Sequence, residues 1–242
     1  MYGLNTLHSL KMVLNEIAQQ ECDLGVLSGD IAQDNSRESY QHLKKCLQGF
    51  DRPVYLLPGN HDDISLMSPL FQGGNISCRK QIVVGNWQII LLNSQVEGQV
   101  GGYLAKAEIE WLEQCLADHA TPHAVVCFHH QPVNIGCKWL DRIGLDNSDT
   151  LFEILAQYPE VKALLWGHIH QEFDETRAGL RLISCPSTCI QFKPRVDVFE
   201  LDTLPPGYRW LELYEDGTLN TGVNRLADIP GKIDSGAKGY SS

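Results

Sequence analysis

Four short polar islands, each set at the end of an apolar run, constrain this 242-residue chain more than any other feature. They are Gly29-Asp30, Gly59-Asn60-His61-Asp62, His129-His130-Gln131-Pro132 and Gly167-His168-Ile169-His170. The runs ahead of them, at 24–28, 54–57, 124–128 and 161–166, read as buried strands. Side chains gathered at the carboxyl ends of successive strands are what an open α/β sheet offers a ligand. Asp, Asn and His converging on one crevice point to a metal centre.

Between the strands the period changes to that of helices. Leu7, Leu10, Leu14 and Ile17 place an amphipathic helix over 6–20, with Asn5 as its cap. Further helices are expected near 37–48, 63–70, 105–118 and 149–157, and strands near 81–84 and 87–93. Ile109, Leu112 and Leu116 mark one face of the fourth helix. Beyond 180 the pattern becomes all-β, with short runs near 180–185, 196–201, 208–214 and 219–224 between Pro and Gly turns. The expected organisation is one α/β domain over 1–228, β-rich from about 180 to 226, and a disordered Gly- and Ser-rich tail at 229–242. The first helix lacks the strand that should precede it in a βαβ unit, since only Met1 to Leu4 come before it.

Composition narrows the function. A hydrophobic share of 43% is enough for one real core, and the net charge of −11 argues against nucleic acid as a partner. Phosphate remains a suitable ligand if metals bring the positive charge. The eight Cys form no Cys-x-x-Cys pair and read as small buried hydrophobes of a reducing cytoplasm. No stretch approaches the ~18 apolar residues of a membrane span, and no signal peptide opens the chain. A homo-oligomer is compatible with the sequence.

Each island also has a bland reading. Asn60-His61-Asp62-Asp63 makes a good polar turn. Chemically, Asn60 offers a neutral carbonyl oxygen to a metal, His61 can give a proton to a leaving oxygen, and Asp62 can fix the tautomer of His61. His168 and His170, two apart in an extended segment, project to the same side and can share a site. His129 and His130 project oppositely, so one ligates while the other packs or supports. Asp30 alone would be a helix cap; the four islands in series favour a ligand.

In that order, Gly-Asp, Gly-Asn-His-Asp, His-x-Pro and Gly-His-x-His resemble the calcineurin-like metallophosphoesterase superfamily, with four of its five blocks present. The likeness extends to its bacterial class III 3',5'-cyclic-AMP phosphodiesterases. It rests on Tyr2-Gly3-Leu4-Asn5-Thr6, Trp139-Leu140-Asp141, the segment Pro186-Ser187-Thr188-Cys189-Ile190-Gln191-Phe192-Lys193-Pro194, and Leu201-Asp202, Pro206-Gly207 and Asp216-Gly217. It covers about 2–226.

The resemblance implies a sandwich of two mixed sheets flanked by helices, lacking its first strand. It implies two divalent ions (Fe, Mn or Zn) bridged by Asp30, with Asn60, His130 and His168 on one and His170 on the other. His130 is preferred to His129 because the family spaces its ligand two residues before the Pro. His61 would be the catalytic proton donor or phosphate clamp, with Asp62 and His129 behind the ligands. A hydroxide bridging the metals would attack phosphorus and convert cyclic AMP to 5'-AMP. Alternatives are a phosphomonoesterase, another phosphodiester hydrolase, or a non-catalytic binding remnant; substrate choice would lie in loops such as 134–148. The family's first block, Asp-x-His, has no counterpart in the 242 residues. Met1 is accordingly read as a late start (a misassigned codon, a fragment or a true truncation), leaving about one metal and impaired activity.

Overall fold

The computed structural model describes residues 1–117, 121–234 and 236–239. Its elements run α1 (Thr6–Ile17), β1 (Gly25–Leu27), α2 (Arg37–Leu47), β2 (Val54–Leu56), α3 (Ile64–Leu70), β3 (Ile76–Ser77), β4 (Gln81–Val84), β5 (Trp87–Leu91), α4 (Lys106–Ala117) and β6 (His123–Phe128). There follow α5 (Lys138–Asp141), α6 (Ser148–Leu155), β7 (Val161–Trp166), β8 (Asp174–Arg177), β9 (Leu180–Ser184), β10 (Gly207–Leu213) and β11 (Leu219–Arg225).

The strands form a parallel three-stranded sheet β1-β2-β3, a mixed six-stranded sheet β4-β5-β6-β7-β9-β8 and an antiparallel hairpin β10-β11. The larger sheet is parallel at its centre, where β5, β6, β7 and β9 pair in register, and antiparallel at both edges. Buried on both faces, the central strands read as largely apolar runs, interrupted by Gln88 in β5, Lys162 in β7 and Arg181 in β9.

Three apolar clusters explain the layering. Leu43, Leu47 and Tyr40 of α2 and Met67 of α3 pack on Val54 and Leu56, covering the outer face of the small sheet. Leu57 meets Ile89, Val125, Leu165 and Ile183 between the sheets, with Leu211, Leu213 and Leu219 of the hairpin alongside. Leu112 and Leu116 of α4 and Leu151 and Leu155 of α6 cover the far face of the large sheet through Val126, Leu164 and Trp166. The result is the expected α/β sandwich, with helices outside two packed sheets.

Local chemistry sets the helix starts. Asn5 Oδ1 accepts from His8 N at 3.0 Å and caps α1; Asp63 Oδ1 accepts from Ser65 N at 2.8 Å and caps α3. On α1 the fully buried residues are Ser9 and Val13, because the helix is also held from its other side, by Ser9 Oγ donating to Thr188 O. Leu10 and Leu14, read as its inner stripe, are only partly buried.

The C-terminal third is less uniformly β than its sequence reads. β8 and β9 complete the large sheet instead of forming a separate unit, and 196–201 contributes only the isolated Phe192–Leu201 bridge. Pro194 withholds a ladder donor beside that bridge. In the tail expected to fray, Ile229 and Ile233 pack on the core and Asp234 N donates to Tyr2 O at 3.0 Å; Ser235 and 240–242 lie outside the described residues. β1 stands at the edge of its sheet, paired among the described residues with β2 alone.

Candidate metal centre

The four islands meet where strand ends of the two sheets face each other. Asp30 follows β1, Asn60 and His61 follow β2, His129 and His130 follow β6, and His168 and His170 follow β7. Turning from strand to site strains the backbone: Asp30, His168 and His170 adopt φ of +54°, +61° and +48°. Side chains other than Gly rarely enter that region, and such strain concentrates at functional sites. Gly59 must be glycine, since a Cβ there would collide with the Asp30 carboxylate.

Asp30 is the centre of the cluster. Its Oδ1 accepts from His61 N at 3.0 Å, and its Oδ2 lies 3.2 Å from His129 Nε2. His129 Nε2 is also 3.2 Å from His168 Nδ1. Ligand-capable atoms of His129, His130 and His168 all lie within 4.8 Å of one another, and all three rings are buried.

Hydrogen bonds fix several tautomers. A carbonyl only accepts, so the 2.7 Å contact to Ser28 O puts a proton on His129 Nδ1. The 3.1 Å contact to Val100 O likewise puts a proton on His130 Nε2, while Ser94 Oγ lies 2.8 Å from its Nδ1. His170 Nδ1 donates to Ile190 O at 3.0 Å, and its ring is stacked on Phe192 at 4.4 Å and 4°. An imidazole held through Nδ1–H by a carbonyl directs its Nε2 lone pair outward, as metal-ligating histidines do.

The electrostatics agree. Burial pushes the Asp30 carboxyl up, but His129, His168 and His61 outweigh it and hold it below the usual carboxylate range. Burial pushes His129 down, and Asp30 more than reverses this, so His129 is raised. Burial lowers His130 to about 3 and His170 to about 4, and takes His168 well below 6.5. These three are neutral near pH 7, the state in which imidazole binds metal.

A divalent ion fits this donor set. Asn60 Oδ1 and His168 Nε2 are buried without a hydrogen-bond partner among the described residues, and such atoms cost roughly 1–3 kcal/mol each if nothing meets them. A cation would take both lone pairs and balance the charge of the Asp30 carboxylate.

Asp62 has partners other than the tautomer-setting ones expected from its place beside His61. Its carboxylate accepts from Ile31 N (3.0 Å), Ala32 N (3.0 Å), Gly59 N (2.9 Å) and Tyr40 Oη (3.1 Å). It thus ties the loop after β1 to the loop after β2. Burial raises its pKa against those bonds. The Nδ1 of His61 instead meets Gln33 Nε2 at 3.2 Å.

Sequence reasoning missed Ser94, Gln33, Tyr40 and Phe192. A signal existed for Ser94: it follows β5, another central strand, at the same carboxyl-end position as the recognised islands. Gln33 and Tyr40 act across the fold and carry no local pattern; Phe192 lies within the Pro186–Pro194 segment of the resemblance, but its stacking on His170 does not show there.

The chain belongs to the calcineurin-like phosphoesterase family, whose model matches residues 4–172. It is 46% identical to the 3',5'-cyclic adenosine monophosphate phosphodiesterase CpdA of Escherichia coli, over 99% of this chain and 88% of that protein. It is 42% identical to the CpdA of Pseudomonas aeruginosa, over 99% and 89%. A 3',5'-cyclic-nucleotide phosphodiesterase of Nostoc is 37% identical over 93% of this chain and 86% of its own length. Among solved structures, a dimetal phosphatase from Danio rerio superposes with a TM-score of 0.61 at 17% identity, covering 85% of this chain and 84% of that one; it supports the fold alone. Among the described residues no helix is long and apolar enough to cross a membrane.

Proposed function

We propose that this protein is a metal-dependent phosphodiesterase that converts 3',5'-cyclic AMP to 5'-AMP. The observation that carries the reading is the cluster of Asp30, His129 and His168, with the unpartnered Asn60 Oδ1 and His168 Nε2 beside it. The identities of 46% and 42% to two cyclic-AMP phosphodiesterases over nearly the whole chain support the substrate.

Asp30, Asn60 and His168 would hold one ion, with Asp30 and His170 facing a second. The remaining ligand falls to the His129–His130 pair. The family's spacing ahead of Pro132 names His130. The contacts favour His129, whose Nε2 already faces Asp30 and His168, while both nitrogens of His130 are engaged by Val100 and Ser94. Separate His129→Asn and His130→Asn variants, compared for bound manganese, distinguish the two. Such an ion supplies positive charge to the phosphoryl oxygens and acidifies water. Since Gln33 Nε2 can only donate, His61 accepts at Nδ1 and carries its proton on Nε2. As water adds to phosphorus and the P–O3' bond breaks, that proton would pass to O3' of the ribose, and the proton given up by the attacking water would return to His61.

Without an Asp-x-His block in the 242 residues, the second ion would have only His170 and a share of Asp30. Residues 1–242 expressed alone should therefore bind about one ion and turn over slowly. The direct test is hydrolysis of cyclic AMP with added manganese, with and without a chelator. Faster hydrolysis of p-nitrophenyl phosphate than of any diester would favour a phosphomonoesterase. Tight binding of two ions with robust cyclic-AMP hydrolysis would overturn the one-ion reading.

A further inference from the structure

Beside the metal centre lies a cavity of about 990 Å³ that the catalytic reading does not use. That volume lies at the upper end of the range of small-ligand sites. Its position ties it to the chemistry. The loop that forms one wall starts at Gln95, whose amide donates to Asp62 O next to His61. The same wall continues through Val100, whose carbonyl holds His130, and Gly102, against which the His130 ring lies.

The walls are preformed. Gly102 N donates to Gly144 O at 3.0 Å and Asp146 N to Gly102 O at 2.8 Å, so the two segments are laced together. Asn147 adds two bonds to Leu104, at 2.9 Å each. On this frame sit two exposed side chains without a hydrogen bond or ion pair among the described residues. Tyr103 is an aromatic ring left 46% exposed. Arg142, exposed on the neighbouring segment, pairs with no carboxylate among the described residues, in a chain of net charge −11. An open aromatic face and a guanidinium lining one cavity, next to a phosphoryl site, are the chemistry that recognises a nucleobase.

We propose that this cavity seats the base of the nucleotide, with Tyr103 stacking on the purine and Arg142 donating to one of its ring nitrogens. The proposal rests on the phosphodiesterase reading and names the specificity residues of the same site.

The test is equilibrium binding by titration calorimetry in manganese, using the whole chain and two ligands, 5'-AMP and ribose 5-phosphate. The wild type should bind 5'-AMP at least ~10-fold tighter, the scale of one base–aromatic stack. Tyr103→Ser and Arg142→Gln should each lower affinity for 5'-AMP, leave ribose 5-phosphate unchanged, and keep the wild-type melting temperature. Equal binding of both ligands by the wild type, or a preference that survives both substitutions, overturns the proposal. A Tyr103-dependent preference in a protein that hydrolyses p-nitrophenyl phosphate faster than any cyclic nucleotide supports the cavity and sinks the phosphodiesterase reading instead.

Discussion

β6 and β7 run six residues each through the middle of a six-stranded sheet, buried on both faces, and the site histidines leave from their ends. β1 and β2 have three residues each in a sheet of three, and β1 is a half-buried edge. The large sheet positions its ligands by its own rigidity. The small sheet cannot, and its two site loops are held in place by the buried Asp62 carboxylate. One half of the site is therefore built into the strands, and the other is tied together by side chains, Asp62 above all, with Asp30 and Gln33 each meeting His61 beside it.

The sharpest way to break this contrast is to remove the clamp. Asp62→Ala should cost at least ~3 kcal/mol, since three backbone N–H groups and the Tyr40 hydroxyl lose a buried charged acceptor. His170→Ala, at the end of a rigid strand, should cost far less in the metal-free chain. Urea melts of the two variants give the comparison, and a larger loss for His170→Ala would refute it.

Metal addition probes both halves together. Manganese at 100 times its dissociation constant should stabilise the chain by about 2.7 kcal/mol. His168→Ala or Asn60→Ala should abolish most of that gain, because each takes a donor from a different sheet. A full gain in the Asn60 variant would place the ion among the histidines alone. In a version carrying both metals, either substitution should also cut turnover by more than ~10²-fold.

Acid sharpens the contrast from the histidine side. Burial holds His130 near 3 and His170 near 4 in the folded chain, against 6.5 for an ordinary imidazole. Below pH 6.5 the unfolded chain then binds more protons than the folded one, so stability falls as pH drops towards 4. His129, raised beside Asp30, works in the opposite direction but is outnumbered. Melting curves of the metal-free protein from pH 7 to 4 test the sign; a flat profile would contradict it.

The smallest effect concerns the aromatic support of His170. Phe192→Leu removes a stacked ring worth about 0.5–1.5 kcal/mol, and should weaken any ion held by His170 by up to ~10-fold. Phe192→Tyr should restore it. Unchanged binding in the leucine variant would leave the stacking without a role.

Much of this was legible in the chain. The apolar runs at 54–57, 124–128 and 161–166 became β2, β6 and β7, because buried strands need largely apolar residues. The 196–201 run did not become a strand, and β8 went unread because all four of its residues are exposed on a sheet edge. An edge strand is set by its neighbour's hydrogen bonds, which leave little mark on its own sequence.

The sequence by itself determined which side chains stand at strand ends, since period and position along one strand are local properties. It also carried the family, through motifs whose order survives in one dimension. Only the tertiary structure decided that Asp62 faces the backbone of Ile31, Ala32 and Gly59, that Gln33 meets His61, and that Phe192 lies flat on His170. The same holds for the orientations of His129 and His130, adjacent residues with different partners, Ser28 and Asp30 for one and Ser94 and Val100 for the other. Apart from the Asp62–Gly59 bond, those contacts join segments tens of residues apart, and their geometry follows from how the two sheets pack.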